Sequence, residues 1–123
     1  MYSIFEMQCK AKHLQLEVNS TFPLEVLMTA DMKRLKQVIL NLISNSLKFT
    51  DRGKIVVLFH PQMNQNLLQV TVEDTGYGIS EEDQKRLFTT YGIGMHTRHK
   101  NVYGSGLGLS ICKQIIERMG GSI

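Results

Sequence analysis

DMKRLKQVILNLISNSLKFT, residues 31–50, places apolar side chains at three- and four-residue steps. This spacing predicts one long helix with an apolar stripe that packs on a core, formed by Leu35, Val38, Ile39, Leu42 and Ser46. Asp31 can cap this helix by accepting backbone N–H groups of its first turn. A polar set recurs in the same way on a neighbouring face: Arg34, Gln37, Asn41, Asn45 and Lys48.

The polar edge of this helix allows two interpretations. Asn41, Asn45 and Lys48 fall within about 60° of arc, and asparagine is a poor helix former away from helix ends. One interpretation is a solvated face on which asparagine is tolerated. The other is a ligand site, because amide oxygens can hold a hard cation and an ammonium group can meet an anion. This stretch alone leaves both interpretations open.

Composition limits the class of protein. The chain has 123 residues and a hydrophobic fraction of 42%, which fits a single globular domain over residues 1–123. No apolar run approaches the ~20 residues of a membrane span, and we expect no signal peptide. Cys9 and Cys112 form no CxxC motif, which indicates free thiols in a reducing, cytoplasmic compartment. The net charge of +3 suits a small anionic ligand and gives no argument for nucleic acid.

The remaining segments alternate between strand and helix patterns. They predict an α+β fold, a two-layer α/β sandwich whose mixed, mostly antiparallel sheet carries helices on one face. Ser80 is the predicted cap of the short helix, with Asp83 in the capping-box position. The predicted elements are a helix over 1–12, strands over 14–18 and 24–28, a hairpin over 54–60 and 68–73, a helix over 81–88, a loop over 89–105, and a last helix that buries Ile111, Cys112, Ile115, Ile116 and Met119.

Asp74 ends the second hairpin strand and is followed by Gly76 and Gly78. A carboxylate at this place can accept a hydrogen bond from an exocyclic amine, and adenine has such an amine where guanine does not. The glycines allow a tight turn and a close approach to a ring. The alternative interpretation is an ordinary hairpin exit, because Asp-x-Gly is common in turns.

The stretch Gly104-Ser105-Gly106-Leu107-Gly108-Leu109 opens the last helix. Free N–H groups at a helix start can bind an anion, and glycines remove side chains that would keep a phosphate away. The stretch is not a Walker motif, since no Gly-Lys-Ser/Thr follows, and its spacing differs from the dinucleotide fingerprint. By itself it is explained nearly as well by a flexible helix start.

Together, these motifs resemble the GHKL ATPase superfamily, and most closely the catalytic ATP-binding domain of sensor histidine kinases. Residues 34–50 resemble the N box of that family, 72–80 its G1 box, 85–91 its F box and 104–121 its G2 box. The resemblance covers the chain from about Phe5 onward. It implies a Bergerat-type ATP-binding fold, ATP and Mg²⁺ as cofactors, and transfer of the γ-phosphoryl group to a histidine on another domain.

The resemblance also implies a role for each matching residue. Asn45 would ligate the Mg²⁺ that bridges the phosphates, Asn41 would lie beside it, and Lys48 would neutralise phosphate charge; these three form the catalytic set. Asp74 would hold the adenine amine, and Phe49 would flank the base. The remaining ATP contacts would come from Gly76, Gly78 and Ile79 at the base and from Gly104, Ser105, Gly106, Leu107, Gly108 and Leu109 at the phosphates.

The residue type at the position of Asn41 distinguishes the branches of this superfamily. In its hydrolysing members the matching residue is a glutamate that activates water, and an asparagine cannot act as a general base. A phosphate clamp without such a base suits transfer to an imidazole by positioning and electrostatics. We therefore expect a kinase, whose partners are a histidine-bearing dimerisation domain and a response-regulator receiver domain. The parent protein could be tethered to a membrane, although this chain has no predicted span.

The chain also departs from the family pattern. None of its four histidines is followed by the acceptor-box sequence Glu/Asp-Leu-Arg, so we expect no activity without a separate phosphoacceptor domain. The F box has Phe88-Thr89-Thr90-Tyr91 in place of Phe-x-Pro-Phe, and residues 89–103 would form the ATP lid. In that lid, Arg98 and Lys100 are explained better by solvation than by phosphate contact. We expect the family's last strands to be missing after Ile123.

Two alternatives remain beside the histidine kinase. One is a stand-alone GHKL ATPase or serine kinase, and the other is a non-enzymatic module that binds nucleotide or a partner.

Overall fold

The computed structural model describes residues 2–22, 29–89 and 107–123, without the side chain of Tyr2. The strand predicted over 24–28 and most of the predicted lid, with Arg98, Lys100, Gly104, Ser105 and Gly106, lie outside the described residues. In chain order the elements are α1 (Tyr2–Ala11), β1 (Gln15–Ser20), α2 (Met32–Phe49), β2 (Lys54–Gln62), β3 (Leu67–Asp74), α3 (Glu81–Gln84) and α4 (Gly108–Arg118), with a 3₁₀ turn at Met63–Gln65 between β2 and β3.

The chain divides into two compact units. The first consists of Met1–Thr29 and Leu42–Gly78, and the second consists of Ala30–Asn41 and Ile79–Ile123. Helix α2 supplies its first part to the second unit and its last part to the first unit.

The first unit contains a mixed sheet whose described strands lie in the order β1-β2-β3. β1 runs parallel to β2, with Leu16 opposite Ile55, and β3 runs antiparallel to β2, with Val57 opposite Val72. The predicted hairpin is confirmed, although β2 continues to Gln62. Pro61 is tolerated in this extension because β1 pairs with β2 only as far as Phe59. Ile55 and Val57 are 0% and 1% exposed and lie at the centre of the core.

Helix α2 begins where its sequence predicts. The Arg34 N–H donates to Asp31 Oδ1 at 3.1 Å, which confirms Asp31 as the cap. The predicted stripe is partly wrong, because Leu35, Ile39 and Leu42 are only half-buried. Periodicity locates an apolar face, but the contacts of the folded chain decide which edge of that face is deepest. The most buried residues of the helix are Val38, Ile43, Ser46 and Leu47.

The C-terminal end of α2 is held by a lysine from outside the helix. Lys12 Nζ donates to the carbonyl of Leu47 at 2.6 Å and to that of Thr50 at 3.2 Å. The last carbonyls of a helix lack partners within the helix and carry partial negative charge, so an ammonium group satisfies both needs. The chain then leaves the helix through Gly53, whose φ of 102° is readily adopted by glycine.

Helix α3 of the second unit begins at the predicted cap and ends earlier than predicted. The Asp83 N–H donates to Ser80 Oγ at 3.1 Å, and the Ser80 hydroxyl donates to Asp83 Oδ2 at 2.8 Å. The predicted helix over 81–88 stops at Gln84. After that point, the N–H groups of Arg86 and Leu87 donate to carbonyls three residues back, which is the tighter pattern of 3₁₀ turns.

The buried face predicted for helix α4 is only partly right, because Cys112 is buried and Ile115 and Ile116 are half-buried. Ser110 and Cys112 are buried, whereas Ile111 and Met119 are 42% and 37% exposed. The Ser110 hydroxyl donates to the Leu107 carbonyl at 2.9 Å, so its burial leaves no unpaired donor. The helix ends at Arg118; beyond it, Gly120 has a φ of 80° and the Gly121 N–H donates to the Ile116 carbonyl at 2.9 Å. No helix in the described part of the chain is long and apolar enough to cross a membrane.

Candidate ATP-binding site

Asp74 is held in place at both carboxylate oxygens. Oδ1 accepts a hydrogen bond from the Gly76 N–H at 2.9 Å, and Oδ2 accepts one from the Ser46 hydroxyl at 3.0 Å. The residue ends β3, opposite Ile55 of β2, and its side chain is exposed. Each carboxylate oxygen has about two acceptor positions, so the group keeps capacity for a donor from a ligand. The structure therefore presents an oriented acceptor at the end of β3.

Residue 76 must be a glycine, because its backbone lies so close to the backbone of Phe49 that a side chain would not fit. A Cβ at this residue would lie 2.5 Å from the Phe49 carbonyl oxygen and 2.8 Å from Asp74 Oδ1. The Tyr77 N–H donates to the same Phe49 carbonyl at 3.4 Å. Gly78 is needed for another reason, since its φ of 73° lies in the left-handed region. The turn after Asp74 thus packs directly on the last turn of α2.

Side chains fasten this turn on its other side. The Thr75 hydroxyl donates to the Arg52 carbonyl at 2.9 Å and accepts from the Lys54 N–H at 3.0 Å. The Tyr77 hydroxyl also donates to the Asp51 carboxylate. These bonds join the segment after α2 to the segment after β3. The orientation of Asp74 therefore depends on both segments.

The polar edge of α2 lies in the first unit from Asn45 onward. Asn45, Lys48 and Phe49 are half-buried, and Lys48 Nζ lies 5.6 Å from the centroid of the Phe49 ring. That distance allows a cation–π interaction, which orients the ammonium group. No cluster of three or more His, Cys, Asp or Glu side chains able to hold a metal occurs among the described residues. The donor set fits Mg²⁺ held by one amide oxygen, because this ion commonly takes its other ligands from phosphates and water.

In the second unit, Asn41 lies against the start of α4. A Cβ at Gly108 would be 2.7 Å from Asn41 Nδ2 and 3.0 Å from Asn41 Oδ1. Leu107 is the N-cap of this helix and makes no side-chain capping bond. Gly108 thus brings an amide side chain next to a helix N-terminus, whose N–H groups favour negative charge.

The predicted site residues fall into two groups. In the first unit the structure brings Asp74, Gly76 and Phe49 together, and it places Asn45 and Lys48 on the adjoining turns of α2. In the second unit it brings Asn41 and Gly108 together. The other predicted residues of the described chain are Gly78 in the first unit and Ile79, Leu107 and Leu109 in the second.

Ser46 is a site residue that the sequence pattern missed. Its helical spacing assigned it to the apolar stripe, and it is buried as expected. However, its hydroxyl bonds to Asp74. A serine within an otherwise apolar stripe is a signal in itself, because a buried hydroxyl must find a partner.

Residues 30–123 match the family described as histidine kinase-, DNA gyrase B- and HSP90-like ATPase. Because this match covers most of the chain, the protein belongs to that family. Its relatives include the sensor protein EvgS of Escherichia coli (strain K12), which is 40% identical over 116 residues, or 92% of this chain and 10% of EvgS. The autoinducer 2 sensor kinase/phosphatase LuxQ of Vibrio vulnificus (strain YJ016) is 34% identical over 125 residues, or 98% of this chain and 15% of LuxQ. The chain therefore spans a small part of these relatives.

Solved structures resemble the chain over nearly its whole length. Full-length ShkA in complex with AMPPNP has a TM-score of 0.78 at 25% identity, with coverage of 97% of this chain and 24% of ShkA. The nucleotide-free catalytic domain of the histidine kinase ThkA has a TM-score of 0.72 at 28% identity, with coverage of 95% of this chain and 73% of that domain. These similarities confirm the predicted mixed α/β fold and the resemblance to histidine kinase catalytic domains.

Proposed function

We propose that this chain is the catalytic ATP-binding domain of a two-component histidine kinase. In the reaction, an imidazole nitrogen of another domain attacks the γ-phosphorus of ATP, a P–N bond forms, the bond to the β,γ-bridging oxygen breaks, and ADP leaves. The observation that carries this proposal is Asn41, an amide against the start of α4 where the hydrolysing relatives use a glutamate. An amide can orient a phosphate but cannot take a proton from water.

ATP is the proposed donor, and Asp74 is its proposed adenine contact. The carboxylate is fixed by Ser46 and Gly76, so it can accept the 6-amino group of adenine without rearrangement. The remaining proposed contacts follow the family pattern: Phe49, Gly76, Gly78 and Ile79 at the base, and Gly104, Ser105, Gly106, Leu107, Gly108 and Leu109 at the phosphates.

Mg²⁺ is the proposed cofactor, with Asn45 as its protein ligand. When bound, the ion would neutralise negative charge on the phosphates. Asn45 would hold it through the amide oxygen, and the half-buried Lys48 ammonium would meet the phosphate oxygens. Asn41, Asn45 and Lys48 are thus the proposed catalytic residues, and they act by position and charge.

The organisation of the protein is part of the proposal. We propose that residues 1–123 belong to one catalytic domain, because the similar structures cover nearly all of them. The partners would be a histidine-bearing dimerisation domain and a response-regulator receiver domain, and the location would be cytoplasmic.

Calorimetric titration with Mg-ATP tests the nucleotide site. We expect saturable, Mg²⁺-dependent binding by the wild-type chain, weaker binding by Asp74→Asn, and loss of Mg²⁺ dependence in Asn45→Ala. The matched control is Asn64→Ala, because Asn64 lies exposed in the 3₁₀ turn between β2 and β3. Equal binding by all four proteins would contradict the proposed site.

Mixing the chain with an acceptor domain and γ-labelled ATP tests the transfer step. The expected product is an acid-labile, base-stable phosphate on the acceptor, as phosphohistidine requires. Acid-stable phosphate would instead indicate a serine kinase, and steady release of inorganic phosphate by the chain alone would indicate an ATPase. Binding of Mg-ATP without transfer by a longer protein that carries this domain would indicate a non-enzymatic module.

A further inference from the structure

We propose that Ser46 is a positioning residue for adenine selectivity: its hydroxyl holds the Asp74 carboxylate in the orientation that accepts the 6-amino group and excludes guanine. The inference rests on the proposed function, because it requires ATP to bind through Asp74. Ser46 lies in the last part of α2, is 6% exposed, and donates to Asp74 Oδ2 at 3.0 Å. Both residues belong to the first unit.

The Asp74 carboxylate needs two donors to be fixed. The terminal torsion of an aspartate is broad, so a bond to one oxygen leaves the plane of the carboxylate free to turn. The Gly76 N–H holds Oδ1 at 2.9 Å, and this bond is local to the turn. The Ser46 hydroxyl holds Oδ2 from a different element, α2. Of these two bonds, only the second joins the carboxylate directly to the helix that carries Asn45 and Lys48.

A fixed carboxylate discriminates between purines. Adenine carries an amino group at C6, which donates a hydrogen bond to the carboxylate, whereas guanine carries a carbonyl at C6, which is an acceptor. Two facing acceptors repel each other, and a carboxylate that is free to turn can relieve this repulsion by swinging away. A carboxylate that is held in place cannot swing away. Selectivity for adenine then has two sources: the hydrogen bond to the adenine amino group and the repulsion of the guanine carbonyl.

The surroundings of Ser46 favour this role over simple packing. Its helical neighbours on the buried face are Ile43 and Leu47, at 4% and 7% exposed. An alanine would fill the position with higher helix propensity and no hydroxyl to satisfy. The hydroxyl therefore contributes little to packing, and its described partner is the carboxylate. Ser44, two residues earlier on the same helix, is exposed and provides a matched control.

The test compares Ser46→Ala and Ser44→Ala with the wild-type chain by calorimetry. The probes are the magnesium complexes of ATP, GTP and purine riboside triphosphate, which has only hydrogen at C6. For Ser46→Ala we expect a loss of ATP affinity of about three- to tenfold, the range of a single hydrogen bond. Its affinity for purine riboside triphosphate should be unchanged, and its preference for ATP over GTP should narrow. Ser44→Ala should match the wild type with all three probes.

Two outcomes would overturn the role of Ser46. One is an equal loss of affinity for ATP and purine riboside triphosphate in Ser46→Ala, which indicates a packing defect. The other is an unchanged preference for ATP over GTP. Failure of the proposed function has a different signature, because the wild type would then bind ATP and purine riboside triphosphate equally well and Asp74→Asn would change neither. Thermal unfolding of both serine variants confirms that they are folded.

Discussion

At the scale of single residues, the absence of a side chain at Gly108 determines where Asn41 lies. A Cβ at Gly108 would come within 2.7 Å of Asn41 Nδ2, so Gly108→Ala must displace that amide. We expect Gly108→Ala to bind Mg-ATP about three- to tenfold more weakly, the effect of losing one hydrogen bond. Its stability should be unchanged or higher by up to ~1 kcal/mol, because alanine favours a helix. Calorimetry measures the loss of nucleotide affinity, and thermal unfolding shows that the loss does not come from lower stability.

The control for this change is Gly121→Ala, beyond the end of α4. A Cβ at Gly121 would meet Ile116 Cγ2 at 3.1 Å and, within the described part of the chain, would approach no proposed site residue. Its nucleotide affinity should equal that of the wild type. If Gly108→Ala also retains full affinity, Asn41 does not contact the phosphates as proposed.

The sequence predicts some single residues well and others poorly. The cap at Asp31 and the capping pair of Ser80 and Asp83 are local, so a few neighbouring residues suffice to identify them. The bond between Ser46 and Asp74 joins residues on α2 and β3, and no periodicity within either element reveals it. Residues whose role depends on a distant partner are therefore the ones that the sequence leaves undefined.

At the scale of elements, the C-terminal end of α2 depends on Lys12. Lys12→Met keeps the length of the side chain and removes both bonds to the carbonyls of Leu47 and Thr50. We expect the free energy of unfolding to fall by about 1 kcal/mol, since charged hydrogen bonds are strong but this side chain is largely exposed. Denaturant unfolding measures the change. Lys10→Met is the control, because its exposed ion pair with Glu6 should contribute at most ~0.5 kcal/mol.

A fall in the free energy of unfolding no larger than that of Lys10→Met would show that Lys12 does not hold the helix end in solution.

The helices α1 and α2 and the hairpin are predictable from the sequence because each is long and strongly patterned. The end of α3 and the edge of the buried face of α4 are less predictable, because a short helix has weak periodicity and surrounding contacts select which residues are buried.

At the scale of the whole molecule, each compact unit contains one buried thiol. Cys9 is 1% exposed in the first unit, and Cys112 is 2% exposed in the second. Burial raises the pKa of the Cys9 thiol, although the nearby Lys12 partly opposes this, and burial also raises the pKa of the Cys112 thiol. The folded protein therefore favours the protonated form of both thiols. Their contribution to the free energy of unfolding is present in full below their ordinary pKa of 9.0. That stability is lost as the pH rises from 9.0 through the raised values.

The two thiols also report whether the units unfold together. Helix α2 is continuous, and its two parts belong to different units, so unfolding of either unit removes part of the same cooperative helix. We therefore expect Cys9 and Cys112 to become reactive toward iodoacetamide at the same denaturant concentration, as measured by mass spectrometry of their peptides.

At pH 8 without denaturant, both thiols should react far more slowly than in the unfolded chain, because the thiolate is the nucleophile and both thiols are buried and protonated. Saturating Mg-ATP should shift both transitions equally to higher denaturant, since a ligand that binds only the folded state stabilises every part that unfolds with it. If Cys112 reacts first, or if ATP protects only one thiol, the units unfold separately and α2 does not couple them.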